Sequence, residues 1–127
     1  MLKATMVIGA SLKPQRYSHS AIIRLDALDI PVIAIGLREG KVGTTQIITF
    51  DTAVAQCDTL KENLDTITLY LNPQRQEEYY DFIIDLSPRR VIFNPGTENP
   101  AFAMKLQSKG VLTESACTLV MLATGQY

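Results

Sequence analysis

The residues best suited to chemistry lie together near the start of the chain, in Gly9-Ala10-Ser11-Leu12-Lys13-Pro14-Gln15-Arg16-Tyr17-Ser18. A short apolar run enters this stretch at Gly9, as a strand does when it turns into a helix around a phosphate. A dinucleotide fingerprint would carry two more glycines, and Ser11 and Pro14 stand in their places. What remains still suits an anion. Gly9 permits a tight turn and a close approach, and Ser11 and Ser18 offer hydroxyl donors. Lys13 adds charge, and Arg16 can grip a phosphate through two parallel bonds. A plain surface loop would also carry a lysine and an arginine. Ser11, Pro14, Arg16 and Ser18 together favour phosphate.

Further candidates follow other β-rich runs. Asn72-Pro73 and Asn94-Pro95-Gly96-Thr97 each close one, and Pro-Gly is the favoured centre of a type II turn. An asparagine amide can both donate and accept at a ribose or amide group; alternatively, each pair merely terminates its strand. After Ile35-Gly36-Leu37 come Arg38, Glu39 and Lys41. An NAD site usually places an acidic residue near there. Cations suit the extra ribose phosphate of NADP or coenzyme A, Glu39 would serve NAD, and Arg38 and Lys41 read equally well as a solvated loop.

No catalytic set assembles. His19 adjoins Ser18 and Ser20 only in sequence, which does not bring side chains face to face on a helix. Glu77-Glu78 reads as a solvated face. Cys117 could meet a ligand thiol, but free cysteine is often a buried hydrophobe. Cys57 and Cys117 lack metal-ligand spacing, so no metal is expected, and a reduced, cytoplasmic protein is the default.

The 127 residues suit one domain over 1–127, with enough chain to bury a core. A net charge of −1 gives no global case for nucleic acid or an anionic membrane. The opening MLKATMVIGAS is too short and too soon interrupted for a signal peptide, and no run reaches the ~18 apolar residues of a membrane span.

Alternating elements must position these residues. Strands are expected at Ala4–Ala10, Val32–Ile35, Thr45–Phe50, Thr66–Leu71, Val91–Phe93 and Val111–Leu112. Helices are expected at about Ser18–Asp29, at Asp51–Cys57 with Asp51 as N-cap, and through Tyr79, Phe82, Ile83 and Leu86 to Ser87-Pro88. Another runs from an Asn99 cap to about Ser108, with Gly110 at its end. Leu37–Gly43 reads as a polar loop. Thr118–Leu122 is a terminal strand or a packed helix, set in the core or at a homo-oligomer interface. The alternation predicts an α/β fold: a single Rossmann-like domain whose mostly parallel sheet has helices on both faces. In such sheets ligands bind at the carboxyl ends of strands.

The pattern Val7-Ile8-Gly9-Ala10-Ser11 with Pro14, Arg16, Tyr17 and Ser18 resembles the small stand-alone CoA-binding proteins. That family is related to the CoA-binding domain of the succinyl-CoA synthetase alpha subunit. The likeness extends through Val91–Asn99 and Ala116–Leu122. It implies a Rossmann-like fold with coenzyme A, or an acyl-CoA, across the strand ends. Gly9, Ser11, Arg16 and Ser18 would hold phosphates, and Gly36–Lys41 would face the adenosine end. Related sequences often carry Val-Asn-Pro where this chain has Ile35-Gly36-Leu37. The synthetase's phosphohistidine machinery lies in a domain absent here, which argues against ligase activity. A non-catalytic module binding a small nucleotide ligand is therefore expected. The alternatives are a small NADP-dependent oxidoreductase, with Tyr70 or Cys117 as its proton donor, or an interaction subunit whose pocket has decayed.

Overall fold

Strand β1 (Ala4–Ala10) is the hub of the molecule. It pairs in parallel with β2 (Val32–Gly36) on one side and β5 (Leu64–Leu69) on the other. The computed structural model describes residues 3–127; Met1 and Leu2, the start of the expected domain and of the opening segment, lie outside the described residues. Beyond β2 lie β4 (Thr45–Ile48) and then β3 (Gly40–Val42), which is antiparallel to it. Beyond β5 lie β6 (Arg90–Phe93) and β7 (Leu112–Ser115). The described strands form one sheet in the order β3-β4-β2-β1-β5-β6-β7. Without β3, this is the 3-2-1-4-5-6 order of a doubly wound Rossmann sheet, whose direction of growth reverses beside β1.

The helices are α1 (Tyr17–Ala27), α2 (Phe50–Ala55), α3 (Cys57–Lys61), α4 (Pro73–Gln76), α5 (Tyr80–Leu86), α6 (Pro100–Ser108) and α7 (Thr118–Ala123). A 3-10 turn, Glu77–Tyr79, joins α4 to α5. Alternation along β1 sends Met6 and Ile8 to one face and Val7 to the other, and the register slip at Gly9 places Ala10 with Val7. Met6 and Ile8 pack with Ala53 of α2, Phe82 and Ile83 of α5, and Phe102 and Leu106 of α6. Val7 and Ala10 pack with Ile22 and Leu25 of α1 and Leu122 of α7. Both faces are therefore covered, and the expected α/β class stands.

Several boundaries differ from expectation. The segment Leu37–Gly43 is not all loop, because Gly40–Val42 folds back on Thr45–Ile48 through Gly43-Thr44. Gly43 takes the positive φ of +59° that such a short hairpin favours. Thr49, not Asp51, caps α2, its hydroxyl accepting the Thr52 N–H at 3.4 Å. Asp51 falls in the first turn, where its charge suits the helix dipole, and the strand before it stops at Ile48. Strand β5 begins and ends two residues early. The Tyr70 N–H still reaches the Ile8 carbonyl at 2.9 Å before the chain turns away. Strand β7 runs through polar Thr113-Glu114-Ser115, residues that an edge strand tolerates. Thr118–Leu122 resolves as helix α7: Met121 and Leu122 are buried and Val120 is exposed. The Asn99 cap holds, its Oδ1 accepting the Phe102 N–H at 3.1 Å, and Gly110 takes the positive φ expected after α6.

Candidate functional site

Three strand ends converge at the point of reversal, and two glycines allow it. At Gly9 the ladder between β1 and β2 slips, and φ is +94°. A Cβ there would stand 3.0 Å from the Tyr70 carbonyl carbon and oxygen. Gly36 pairs with Ala10, and its Cβ would fall 2.4 Å from the Ala10 carbonyl oxygen. Close packing therefore demands the glycine in Ile35-Gly36-Leu37.

The loop after β1 is braced from within. The Ser11 hydroxyl accepts the Lys13 N–H at 3.1 Å, and the Arg16 N–H donates to the Lys13 carbonyl at 3.0 Å. The second bond closes a turn with Pro14 at the position its fixed φ suits. Leu12 lies over Gly40, filling the space a Cβ would need. Arg16 is the N-cap residue of α1 yet makes no side-chain capping bond. A guanidinium has donors only and cannot cap; Arg16 lines the cleft, and no capping side chain satisfies the first-turn N–H groups.

The opposite wall is the turn after β6. The Thr97 N–H donates to the Asn94 carbonyl at 2.9 Å and Gly96 has φ +90°, the expected type II geometry. A fully buried residue that sequence reasoning missed, Gln76, fixes this wall to the end of β5. Its Nε2 donates to the Leu71 and Thr97 carbonyls, both at 2.8 Å. Its Oε1 accepts from Asn99 Nδ2 at 3.0 Å, and the same Nδ2 donates to the Tyr80 hydroxyl at 2.8 Å. Nothing in Pro73-Gln74-Arg75-Gln76 marks which glutamine is buried.

Between these walls lies a cleft of about 810 Å³, within the size range of small-molecule sites. Gly9, Ala10, Ser11, Pro14, Arg16, Tyr17 and Ser18 line it from the first loop, and Gly36 and Arg38 from the end of β2. Asn72 lines it from the end of β5, and Pro95 and Gly96 from the turn after β6. Asn72 has its Oδ1 committed to the Arg75 N–H at 2.9 Å, as the cap of α4. Two expected residues stand elsewhere. Lys41 is the exposed middle residue of β3, on the face opposite buried Val42. Asn94 is 2 % exposed and fully engaged. Its amide donates to Thr68 Oγ1 at 2.6 Å and the Leu69 carbonyl at 2.9 Å, while its Oδ1 accepts the Thr118 N–H at 2.9 Å. Asn94 locks α7 to the sheet.

The sequence also gave no reason to single out Arg75 and Tyr79, which line the cleft. With Lys13, Arg16 and Arg38, Arg75 completes a set of four cations. No Asp or Glu lines the cleft, and none of the four pairs with a carboxylate among the described residues. Burial, reinforced by Glu78, pushes the Tyr79 hydroxyl above the ordinary tyrosine range. Burial pushes Tyr70 up to about 12. Thr68 and Thr118 lie near Tyr70, but their hydroxyls bond each other at 2.8 Å, and the Tyr70 hydroxyl has no hydrogen-bond partner among the described residues. Cys117, half-buried before α7, does not line the cleft. The arrangement can hold an extended polyanion across the strand ends.

Comparison with known proteins bears on this geometry. A solved structure described as an uncharacterized protein is 38% identical, covering all of this chain and 99% of its own, with a TM-score of 0.88. A hypothetical protein from Pyrococcus horikoshii OT3 is 18% identical over 97% of this chain and 83% of its own, with a TM-score of 0.81. An NADPH-dependent glyoxylate/hydroxypyruvate reductase from Sinorhizobium meliloti is 14% identical over 91% of this chain and 47% of its own, with a TM-score of 0.62. The last two likenesses are of fold alone. No curated protein matches. Residues 3–123 match the model of the CoA binding domain family, and the chain belongs to that family.

Proposed function

From that membership, we propose that this chain binds coenzyme A or an acyl-CoA across the carboxyl ends of β2, β1 and β5, and catalyses no reaction of its own. The observation that carries this reading is the cleft's set of cations, none of them in an ion pair with a carboxylate among the described residues. Lys13, Arg16 and the first-turn amides of α1 sit over the central strand and suit a pyrophosphate. Arg38, beyond β2, suits the 3′-phosphate on the adenosine ribose. The lack of catalysis is supported by the cleft's hydroxyls: no His, Asp or Glu lines it to activate Ser11 or Ser18. A Tyr70 hydroxyl held near 12 is also a poor proton source at neutral pH. The cysteines are free, in keeping with a reducing cytoplasm, and no described helix is long and apolar enough to cross a membrane.

The test is calorimetric titration of the purified chain with CoA, 3′-dephospho-CoA, NADP and NAD. CoA is expected to bind tightest, at one per chain. Loss of the 3′-phosphate should weaken binding by about tenfold, the scale of one charge-assisted bond. Arg38→Ala should erase that gap. Tighter binding of NADP than of CoA would overturn the reading in favour of a redox enzyme. Binding of none of the four would leave the fold without this ligand.

A further inference from the structure

Resting on that reading, we propose that the site prefers acyl-CoA thioesters whose acyl group ends in a carboxylate, and that Arg75 is the residue that reads the carboxylate. The cleft's cations are spread along the sheet. Lys13 and Arg16 follow β1, Arg38 follows β2, and Arg75 follows β5 on the other side. The strand ends preceding Arg38 and Arg75 are two strand spacings apart, ~10 Å. All the charges of CoA lie on its nucleotide half, as a pyrophosphate and a 3′-phosphate, while the pantetheine arm is neutral. With the nucleotide over β1 and β2, the arm runs toward β5. Free CoA then brings no counter-charge to Arg75, which is exposed and without an ion-pair partner among the described residues. A terminal carboxylate supplies that counter-charge.

The surroundings of Arg75 fit a carboxylate. Asn72 and Tyr79 line the same end of the cleft. Asn72 Oδ1 is spent on the Arg75 N–H, so the cap leaves its Nδ2 as a donor. Tyr79, whose hydroxyl burial pushes above the ordinary range, keeps its proton at neutral pH and can donate it to a carboxylate. The Arg75 fork can bind both oxygens of a carboxylate. Its backbone is fixed on one side by the Asn72 cap and on the other by the locked Gln76. Glu77 and Glu78 follow closely, yet neither forms an ion pair with it.

The experiment titrates the purified chain and its Arg75→Ala variant with CoA and with near-isosteric pairs: malonyl- against propionyl-CoA, and succinyl- against butyryl-CoA. At least one acidic thioester is expected to bind about tenfold tighter than its neutral partner. Arg75→Ala should abolish that preference, so that each acidic thioester binds no tighter than its neutral partner. Circular dichroism should confirm that the variant folds. If CoA binds but neither acidic thioester is favoured, the inference fails and the CoA reading survives. If Arg75→Ala weakens every ligand by one factor, Arg75 serves a phosphate and the inference also fails. If no ligand of the panel binds, the CoA reading falls and takes the inference with it.

Discussion

The two ends of the sheet treat their cations in opposite ways. At the amino ends of the strands, Arg89 clasps Asp65 through two bonds, at 2.8 and 2.9 Å. Arg90, only 5 % exposed, donates to the Thr66 hydroxyl at 3.2 Å, lies 4.6 Å over the Tyr127 ring and is 3.9 Å from Glu114. The Tyr127 hydroxyl in turn bonds that of Thr5. At the carboxyl ends, four cations border the cleft and none has a carboxylate partner among the described residues. The sequence holds 13 acidic residues against 12 lysines and arginines, so partners were not in short supply. Charge at one end is closed within the fold and adds to stability. At the other it is left for a counter-charge from outside.

The largest blow to this contrast would come where the cleft's sterics and the fold coincide. Gly9→Val places a branched side chain at φ +94° against the Tyr70 backbone. It should cost about 3–5 kcal/mol in chemical denaturation, combining backbone strain with overpacking. A smaller loss would mean that β5 can move aside. The contrast itself is sharpened by a crossed pair of variants. Arg90→Ala should lose about 2–3 kcal/mol of stability through lost packing and an orphaned polar cluster, with CoA affinity unchanged. Arg16→Ala should do the reverse: about tenfold weaker CoA binding and a stability change within about 0.5 kcal/mol. If either variant moved both quantities, the two ends would not be independent. The smallest effect is in pH. The Arg89 hydrogen bonds hold the Asp65 carboxyl below the ordinary aspartate range. A folded-state value below the unfolded one means that the pair's contribution is full above about pH 4 and is lost as pH falls through the lowered value. Because Arg89 is half exposed, this contribution should stay under about 1 kcal/mol. Denaturation of Asp65→Asn beside the parent between pH 7 and 2 should show the gap closing on acidification.

The layered fold and the first loop were legible because local chemistry decides them. Period-two and period-3.6 apolar patterns specify faces, Pro95-Gly96 dictates its turn, and Gly9 sits where one strand must bend. The rest depended on partners remote in sequence. Asn72-Pro73 and Asn94-Pro95 are the same dipeptide, yet one caps a helix at the cleft and the other pins α7 from inside. What separates them is access to Thr68 and Thr118, which the dipeptide does not encode. Lys41 was misplaced because a hairpin, not a loop, sets its direction. Gln76 and Arg75 adjoin in a polar stretch. Only the way the ends of β5 and β6 meet buries one and leaves the other over the cleft.

The bond between Thr5 and Tyr127, 122 positions apart, also bears on protein engineering. The described chain is nearly a ring. A short linker from residue 127 to residue 3 could close it, and new termini could be cut at the exposed Gly110 turn between α6 and β7. Such a circular permutant would keep each strand pairing and leave the cleft untouched. In it β7 and α7 would precede β1 in the chain, and β6 and α6 would come last.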